Sequence, residues 1–154
     1  MWTTLYGGTG GEVYSNACID KQDNLYISGV TSSVDFPTQQ MAGEYWQPNF
    51  YYYRGIFILK FNKYGQRRWA TYYGSHGMSD DSKAICSNSK NEIYVVGSVS
   101  GNNAYTVDYG NGAYYDTVNA LNDFLILKFG ICHAESPERG NKRVGAGLHL
   151  WSVY

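Results

Sequence analysis

Residues 58–61 read Ile-Leu-Lys-Phe, and the same four residues return at positions 126–129. Two longer stretches are repeated in the same way: Trp2-Thr-Thr-Leu-Tyr-Gly-Gly8 as Trp69-Ala-Thr-Tyr-Tyr-Gly-Ser75, and Leu25-Tyr-Ile-Ser-Gly29 as Ile93-Tyr-Val-Val-Gly97. The offset is 67 residues for the Trp stretch and 68 for the other two, so a single residue is inserted between the copies. A repeat of this length, filled with short strand-like runs, predicts a modular β architecture in which each copy is one unit of an array.

The composition agrees with a soluble β protein. Aromatic residues make up 17% of the 154 residues, with 16 Tyr and 18 Gly, which favours strands joined by turns. Twelve basic and thirteen acidic residues are scattered along the chain, so we expect no nucleic-acid partner. No apolar run approaches the roughly 20 residues that span a bilayer, so we expect no membrane span. The repeat begins at Trp2 without a signal peptide before it, which suggests that the chain starts inside a longer array.

Turn residues divide each copy into short strands. The predicted strands are Ala17–Asp20, Leu25–Val30, Ile56–Phe61 and Gln66–Tyr73 in copy one, and Ala84–Ser87, Ile93–Ser98 and Phe124–Phe129 in copy two, with a fourth near residue 134. Four antiparallel strands per repeat are the anatomy of one β-propeller blade. The sequence therefore predicts an all-β fold of two consecutive four-stranded blades of an incomplete β-propeller, packed face to face with minimal helix. Trp2–Tyr6 is predicted to be an eighth segment that belongs to a preceding blade.

At these positions the chain resembles the bacterial SBBP (seven-bladed beta-propeller) repeat. The matching residues are Trp2, Thr4, Tyr6, Gly7 and Gly8, then Asp20, Asn24, Tyr26 and Gly29, then Thr31, Ser33, Asp35, Phe36 and Pro37, and finally Phe57 and Lys60. The resemblance covers residues 2 to about 129, and copy two lacks the Asp-Phe-Pro element. It implies a secreted or cell-surface bacterial protein with no defined enzymatic activity.

The chain divides into three parts. Residues 1–68 are the first repeat, 69–130 an incomplete second repeat, and 131–154 a tail in which the repeat pattern is lost. The tail is either a divergent end or a truncated or frame-shifted reading frame, and the abrupt change of pattern favours the second interpretation.

No catalytic or metal-binding constellation can be assembled from the residues. His76, His133 and His149 lack the spacing of metal ligands, apart from the adjacent Cys132-His133, so we expect no metal and no cofactor. Asp80 and Asp81 could hold a cation, but such residues more often cap loose backbone amides, and Glu12 occupies the equivalent stretch of copy one.

Three matched pairs of residues favour structural roles. Asp20 and Asn88 should close hairpin turns with a side-chain oxygen. Lys60 and Lys128 should pack their aliphatic stems and keep the ammonium at the rim. Cys18 and Cys86 occupy equivalent positions on successive blades, so we expect them to be buried and unbridged.

The aromatic connections between the second and third strands are the best candidates for a binding surface, because loops on a rigid scaffold commonly carry function. Tyrosine and tryptophan offer a large contact area and stack on sugar faces or peptides. The alternative is that these rings pack over the blade edge. The candidate ligand-binding residues are Tyr45, Trp46, Phe50, Tyr51, Tyr52 and Tyr53 in copy one, and Tyr105, Tyr109, Tyr114 and Tyr115 in copy two.

The sequence thus favours a non-enzymatic binding or scaffold module, whose partners are neighbouring propeller blades or other protomers and a carbohydrate or protein ligand. Two alternatives stay open. The chain could be a two-blade protomer of an oligomeric, lectin-like propeller, or part of a propeller enzyme whose active site lies in other blades.

Overall fold

Seven β-strands form two antiparallel sheets. The computed structural model describes residues 1–50, 53–75, 79–101, 104–107, 114 and 122–130, with only the backbone at Tyr14. The strands are β1 (Glu12–Ile19), β2 (Leu25–Thr31), β3 (Gly55–Phe61), β4 (Arg67–Tyr73), β5 (Asp81–Ser87), β6 (Ile93–Val99) and β7 (Asp123–Phe129). The first sheet has the order β1-β2-β3-β4 and the second β5-β6-β7. The described residues contain no helix, so the predicted all-β antiparallel character is confirmed.

The repeat in the sequence is also a repeat in strand pairing. Tyr26 lies opposite Lys60 in the first sheet, and Tyr94 lies opposite Lys128 in the second. Both inner edge strands carry an irregularity at the equivalent place, between residues 13 and 16 in β1 and between residues 82 and 84 in β5. A position in one sheet can therefore be compared directly with the position 68 residues away in the other.

The boundaries of the inner strands differ from those predicted. β1 begins at Glu12 rather than Ala17, and β5 begins at Asp81 rather than Ala84. Both strands are sheet edges with polar residues in their first halves, and the irregularity interrupts the alternation that would mark a strand. Trp2–Tyr6, which was predicted to belong to a preceding blade, belongs to neither sheet of this structure.

The main core lies between the two sheets. It joins Tyr26, Ile56 and Ile58 of the first sheet to Val95 and Leu127 of the second, all of them buried. The predicted face-to-face packing is confirmed by this shared cluster.

Side-chain hydrogen bonds also connect the inner edges of the sheets. Asn16 Nδ2 donates to the Lys83 carbonyl at 3.0 Å, and Ser87 Oγ donates to the Ile19 carbonyl at 2.7 Å. These bonds fix the two edge strands side by side.

A second cluster covers the far face of the first sheet. Its residues on the sheet include Phe57, Leu59 and Phe61, and aromatic rings from the connections between strands pack on them. The first residues of the chain join this cluster, since Trp2 lies 6.0 Å from Phe61 and Tyr6 lies 5.8 Å from the same ring, measured between ring centroids. Both faces of the first sheet are therefore covered within one chain.

Candidate functional site

The second sheet has a buried carboxylate at the start of its inner edge. Asp80 immediately precedes β5 and is completely buried. Its carboxylate accepts hydrogen bonds from the backbone N–H of Ser75 at 2.7 Å and of Ser100 at 2.9 Å, and from Ser75 Oγ at 3.0 Å. Because Ser75 lies before β5 and Ser100 follows β6, the carboxylate ties together the two chain segments at this end of the sheet.

Glu12 connects the equivalent chain segments of the first sheet with a longer side chain. Its Oε1 accepts hydrogen bonds from Thr31 Oγ1 at 2.8 Å, Ser33 Oγ at 2.5 Å and the Gly8 N–H at 3.4 Å. A Cβ atom at Gly7 would collide with Glu12, and one at Gly74 would collide with Asp80. Glycine at positions 7 and 74 therefore leaves space for these carboxylates close to the backbone.

The surroundings of Asp80 favour capping over cation binding. Burial raises the pKa of the Asp80 carboxyl, and the hydrogen bonds from Ser100 and Ser75 offset this only in part. The oxygen atoms of the carboxylate already have donors, which is the arrangement of a side chain that satisfies loose amides. The predicted capping role of Asp80 is confirmed.

Asp20 and Asn88 close equivalent hairpin turns. In each case Oδ1 accepts hydrogen bonds from the backbone N–H groups of the second and fourth residues after it, at 2.8 and 2.9 Å for Asp20 and at 2.9 and 3.0 Å for Asn88. Asp23 and Asn91 both have a φ of 61° within these turns, a conformation that Asp and Asn tolerate better than most residues. The predicted turn-closing role is confirmed for both.

Burial and hydrogen bonding act in opposite directions on the Asp20 carboxyl. Burial alone would raise its pKa, but hydrogen bonds from Asn24, Gln22 and Tyr26 outweigh burial and hold the pKa below its ordinary value. The ionised form of Asp20 is therefore the form that the folded turn stabilises.

The two matched lysines lie over tyrosine rings. Lys60 Nζ is 5.1 Å from the ring centroid of Tyr26, and Lys128 Nζ is 5.7 Å from that of Tyr94. Lys128 also forms an ion pair with Glu92 at 2.7 Å. Burial lowers the pKa of Lys60. These contacts agree with the predicted packing role, although Lys60 is buried rather than at the rim.

A cleft beside Lys60 was not anticipated from the sequence. Its volume is about 250 Å³ including its open mouth, and its walls come from both sheets and from the β2–β3 connection. Met41 and Glu44 of that connection line it together with Trp69 and Phe129. Nothing in the local sequence marks Met41 or Glu44, because the cleft exists only where the two sheets meet.

The aromatic β2–β3 connection is fixed against β4. Gln39 and Ala70 exchange two backbone hydrogen bonds of 2.8 and 3.0 Å, and the Tyr72 N–H donates to the Gln47 carbonyl at 3.2 Å. Trp69 Nε1 donates to the Tyr45 carbonyl at 2.8 Å. The outer edge of the first sheet is thereby covered, and the connection is attached to it at residues 39, 45 and 47.

Two of the candidate binding residues are packing residues. Phe50 is 2% exposed and stacks on Tyr72 at 5.8 Å in the far-face cluster. Tyr45 packs against the main core, with its ring 5.4 Å from Tyr73, and burial raises the pKa of its hydroxyl. For Phe50 in particular, the packing alternative describes the structure better than ligand stacking does.

Four candidates present exposed rings. The exposed side chains are those of Trp46, Tyr53, Tyr105 and Tyr114, of which Trp46 is the least exposed at 36%. Tyr105 connects the two copies, because its ring lies 5.6 Å from Tyr45 and its carbonyl accepts a hydrogen bond from the Tyr73 hydroxyl. The long connections of the two sheets therefore meet at the same end of the molecule. The remaining candidates lie outside the described residues: Tyr51, Tyr52, Tyr109 and Tyr115.

The thiols are free, as predicted, but they are not buried. Cys86 is exposed and Cys18 is half-buried. Burial raises the pKa of the Cys18 thiol, and the nearby Cys86 thiol raises it further. The expectation of burial was wrong because these edge strands present one side to solvent. Cys132 lies outside the described residues.

The described residues contain no group of three His, Cys, Asp or Glu side chains that could hold a metal ion, and the three histidines lie outside this part of the chain. They also contain no helix with the length and hydropathy to cross a membrane. A scan against protein-family models and a search of curated proteins found no match to the chain. The resemblance of residues 2–129 to the SBBP repeat therefore stays a prediction.

Proposed function

We propose that the chain is two consecutive blades of an SBBP-like β-propeller and acts as a non-enzymatic binding or scaffold module. The observation that carries this proposal is the meeting of the two long connections at one end of the paired sheets, at Tyr45 and Tyr105. Rigid sheets that bring equivalent loops together form a platform on which exposed side chains can act jointly.

Equivalent contacts on successive sheets support an array of like units. Trp2 lies 6.0 Å from Phe61, and its repeat equivalent Trp69 lies 5.2 Å from Phe129. The same tryptophan–phenylalanine contact therefore recurs at two successive sheet faces, as expected of stacked blades. The resemblance to the SBBP repeat supports a place at the cell surface or in the secreted fraction of a bacterium.

The exposed rings favour a carbohydrate or polypeptide ligand. Trp46 and Tyr53 lie in the first connection, and Tyr105 and Tyr114 lie in the second. An exposed aromatic ring can stack on a sugar face or a peptide, and each such ring contributes about 1 kcal/mol. Phosphate-bearing ligands would instead call for a cluster of cationic side chains.

A binding screen on the full chain tests this function. Glycan and peptide arrays should yield a ligand, and Trp46→Ala and Tyr53→Ala should each weaken its binding about fivefold. Calorimetric unfolding should show little change for either variant, because both side chains are exposed.

Tyr64→Ala is the matched control, since Tyr64 is also an exposed aromatic residue but lies in the β3–β4 turn. It should leave both binding and stability unchanged. If Trp46→Ala and Tyr53→Ala lower the stability and leave ligand binding intact, these rings serve packing and the binding proposal fails.

A further inference from the structure

We propose that residues 2–6 of one copy of this chain form a fourth strand of the second sheet in another copy, by pairing with the outer edge of β7. This inference rests on the proposed function, because it treats the two sheets as successive units of an array. The occupant of the β7 edge is thus a second copy of the chain, joined head to tail.

The strand count identifies the donor and the acceptor. β4 is the fourth strand of the first sheet and pairs with β3. In the part of the chain that the structure describes, no strand pairs with the outer edge of the equivalent β7. The repeat equivalent of residues 69–73 in β4 is the stretch 2–6, which belongs to neither sheet of its own chain. Unpaired strand edges are templates for strands of another chain.

The donor segment is exposed where its equivalent is buried. Leu5 is 100% exposed, whereas its repeat equivalent Tyr72 is 0% exposed. Trp2 is 47% exposed, and its equivalent Trp69 is buried at 3%. Apolar side chains at these repeat positions are buried in β4, which is part of a sheet, and exposed in residues 2–6, which are not.

The acceptor face shows the same difference. Phe124 of β7 is 52% exposed, whereas its equivalent Ile56 in β3 is 0% exposed. Ile126 is half-buried, and its equivalent Ile58 is completely buried. In the first sheet this face packs against the second sheet. The outer face of the second sheet is therefore built for another sheet.

The donor segment makes a contact equivalent to one made by its repeat counterpart in β4. The Tyr6 hydroxyl donates to the Pro37 carbonyl, as the equivalent Tyr73 hydroxyl donates to the Tyr105 carbonyl. Arg67 also donates to the Tyr6 hydroxyl at 2.5 Å. Residues 2–6 are thus held on the far face of the first sheet as β4 is held on the second sheet.

Repeat equivalence also predicts the register. Lys60 pairs with Trp69 and Ile58 with Thr71 in the β3–β4 ladder. By the same spacing, Lys128 of one copy should lie opposite Trp2 of the next, Ile126 opposite Thr4, and Phe124 opposite Tyr6. Head-to-tail contacts of this kind form a ring if the rotation closes and an open filament if it does not.

Sedimentation equilibrium of two variants and their mixture tests the proposal. The full chain should associate in a concentration-dependent way. Leu5→Glu disables the donor and Phe124→Glu disables the acceptor, and each should weaken self-association about tenfold or more. An equimolar mixture of the two variants should form a dimer and no larger species, because each supplies the surface that the other has lost. Tyr53→Glu, on an exposed loop residue, should associate like the unmodified chain.

Hydrogen exchange on the unmodified chain gives a measurement that needs no variant. Protection of the amides of residues 3–6 and 124–128 should rise together as the concentration rises. A chain that remains monomeric, β7 amides whose protection does not depend on concentration, or a variant mixture that remains monomeric would each refute the head-to-tail pairing. If either glutamate variant fails to fold, Leu5→Ser and Phe124→Ser replace it. None of these measurements involves a ligand, so their failure is distinct from failure of the binding screen.

Discussion

The buried carboxylate of Asp80 allows a test of whether this residue holds the end of the second sheet together. Asp80→Ala removes the acceptor for the Ser75 N–H, the Ser75 hydroxyl and the Ser100 N–H. A buried donor without a partner costs about 1–3 kcal/mol, and the Ser100 site is only partly buried, so its cost is at the low end. Removal of a desolvated charge offsets part of this loss. We expect the free energy of unfolding to fall by about 2–4 kcal/mol.

Urea unfolding and calorimetry measure this change, which corresponds to a decrease of about 3 °C in Tm per kcal/mol for a chain of this length. Glu12→Ala is the matched control, because Glu12 occupies the same repeat position. Two of its partners are the hydroxyl groups of the buried residues Thr31 and Ser33, which can rotate towards another acceptor as a backbone N–H cannot, so its loss should be smaller, about 1–2 kcal/mol.

The pH dependence provides a second readout for Asp80. Burial raises its pKa in the folded state, so the folded protein binds this proton more readily than the unfolded chain does. The contribution of Asp80 to stability should therefore increase as the pH falls from 7 towards its unfolded pKa of about 4. The stability difference between the unmodified chain and Asp80→Ala should be larger at pH 4 than at pH 7. A difference below about 0.5 kcal/mol at both pH values would contradict the capping role. A Tm that rises with Ca²⁺ only when Asp80 is present would show a cation site instead.

Two further predictions concern the turn and the thiols. Because the pKa of Asp20 is lowered, its stabilising contribution is present above the unfolded value of about 4 and is lost as the pH falls through the folded value. Asp20→Asn introduces the residue type found at Asn88. The stability of this variant should therefore fall less between pH 5 and pH 2 than that of the unmodified chain. An unchanged pH profile of stability would contradict the turn-closing role of the Asp20 carboxylate. Maleimide should label Cys86 faster than Cys18, because Cys86 is exposed and the Cys18 thiol has a raised pKa. Peptide mass spectrometry measures both rates, and a linked Cys18–Cys86 peptide would contradict the free state of the two thiols.

Local sequence was sufficient to find β3 and its repeat equivalent β7. β3 and β7 contain nearly continuous apolar runs, and the hairpin turns beside them carry Asp or Asn at fixed positions. These signals depend only on neighbouring residues, so both copies showed them. The inner edge strands were predicted too short, because β1 and β5 are polar, irregular and packed on one side.

Tertiary packing decided which aromatic residues are exposed. Tyr45, Trp46 and Phe50 stand within six positions in one aromatic run, yet Trp46 is exposed and Phe50 is buried. The run has no regular strand or helix period, so its ring directions follow from the hydrogen bonds that tie residues 39 and 47 to β4. No local pattern could separate a packing ring from an exposed one here.

The sequence by itself determined the unit, its strands and its turns, because these depend on local periodicity and on residues that recur 67 or 68 positions apart. Only the tertiary structure decided how the units meet. The burial of Asp80, the cleft beside Lys60 and the exposure of Leu5 and Phe124 all depend on what the neighbouring sheet covers. Equivalent sequence positions therefore have different surroundings, since a repeat is buried on a given face only where another unit is stacked against it.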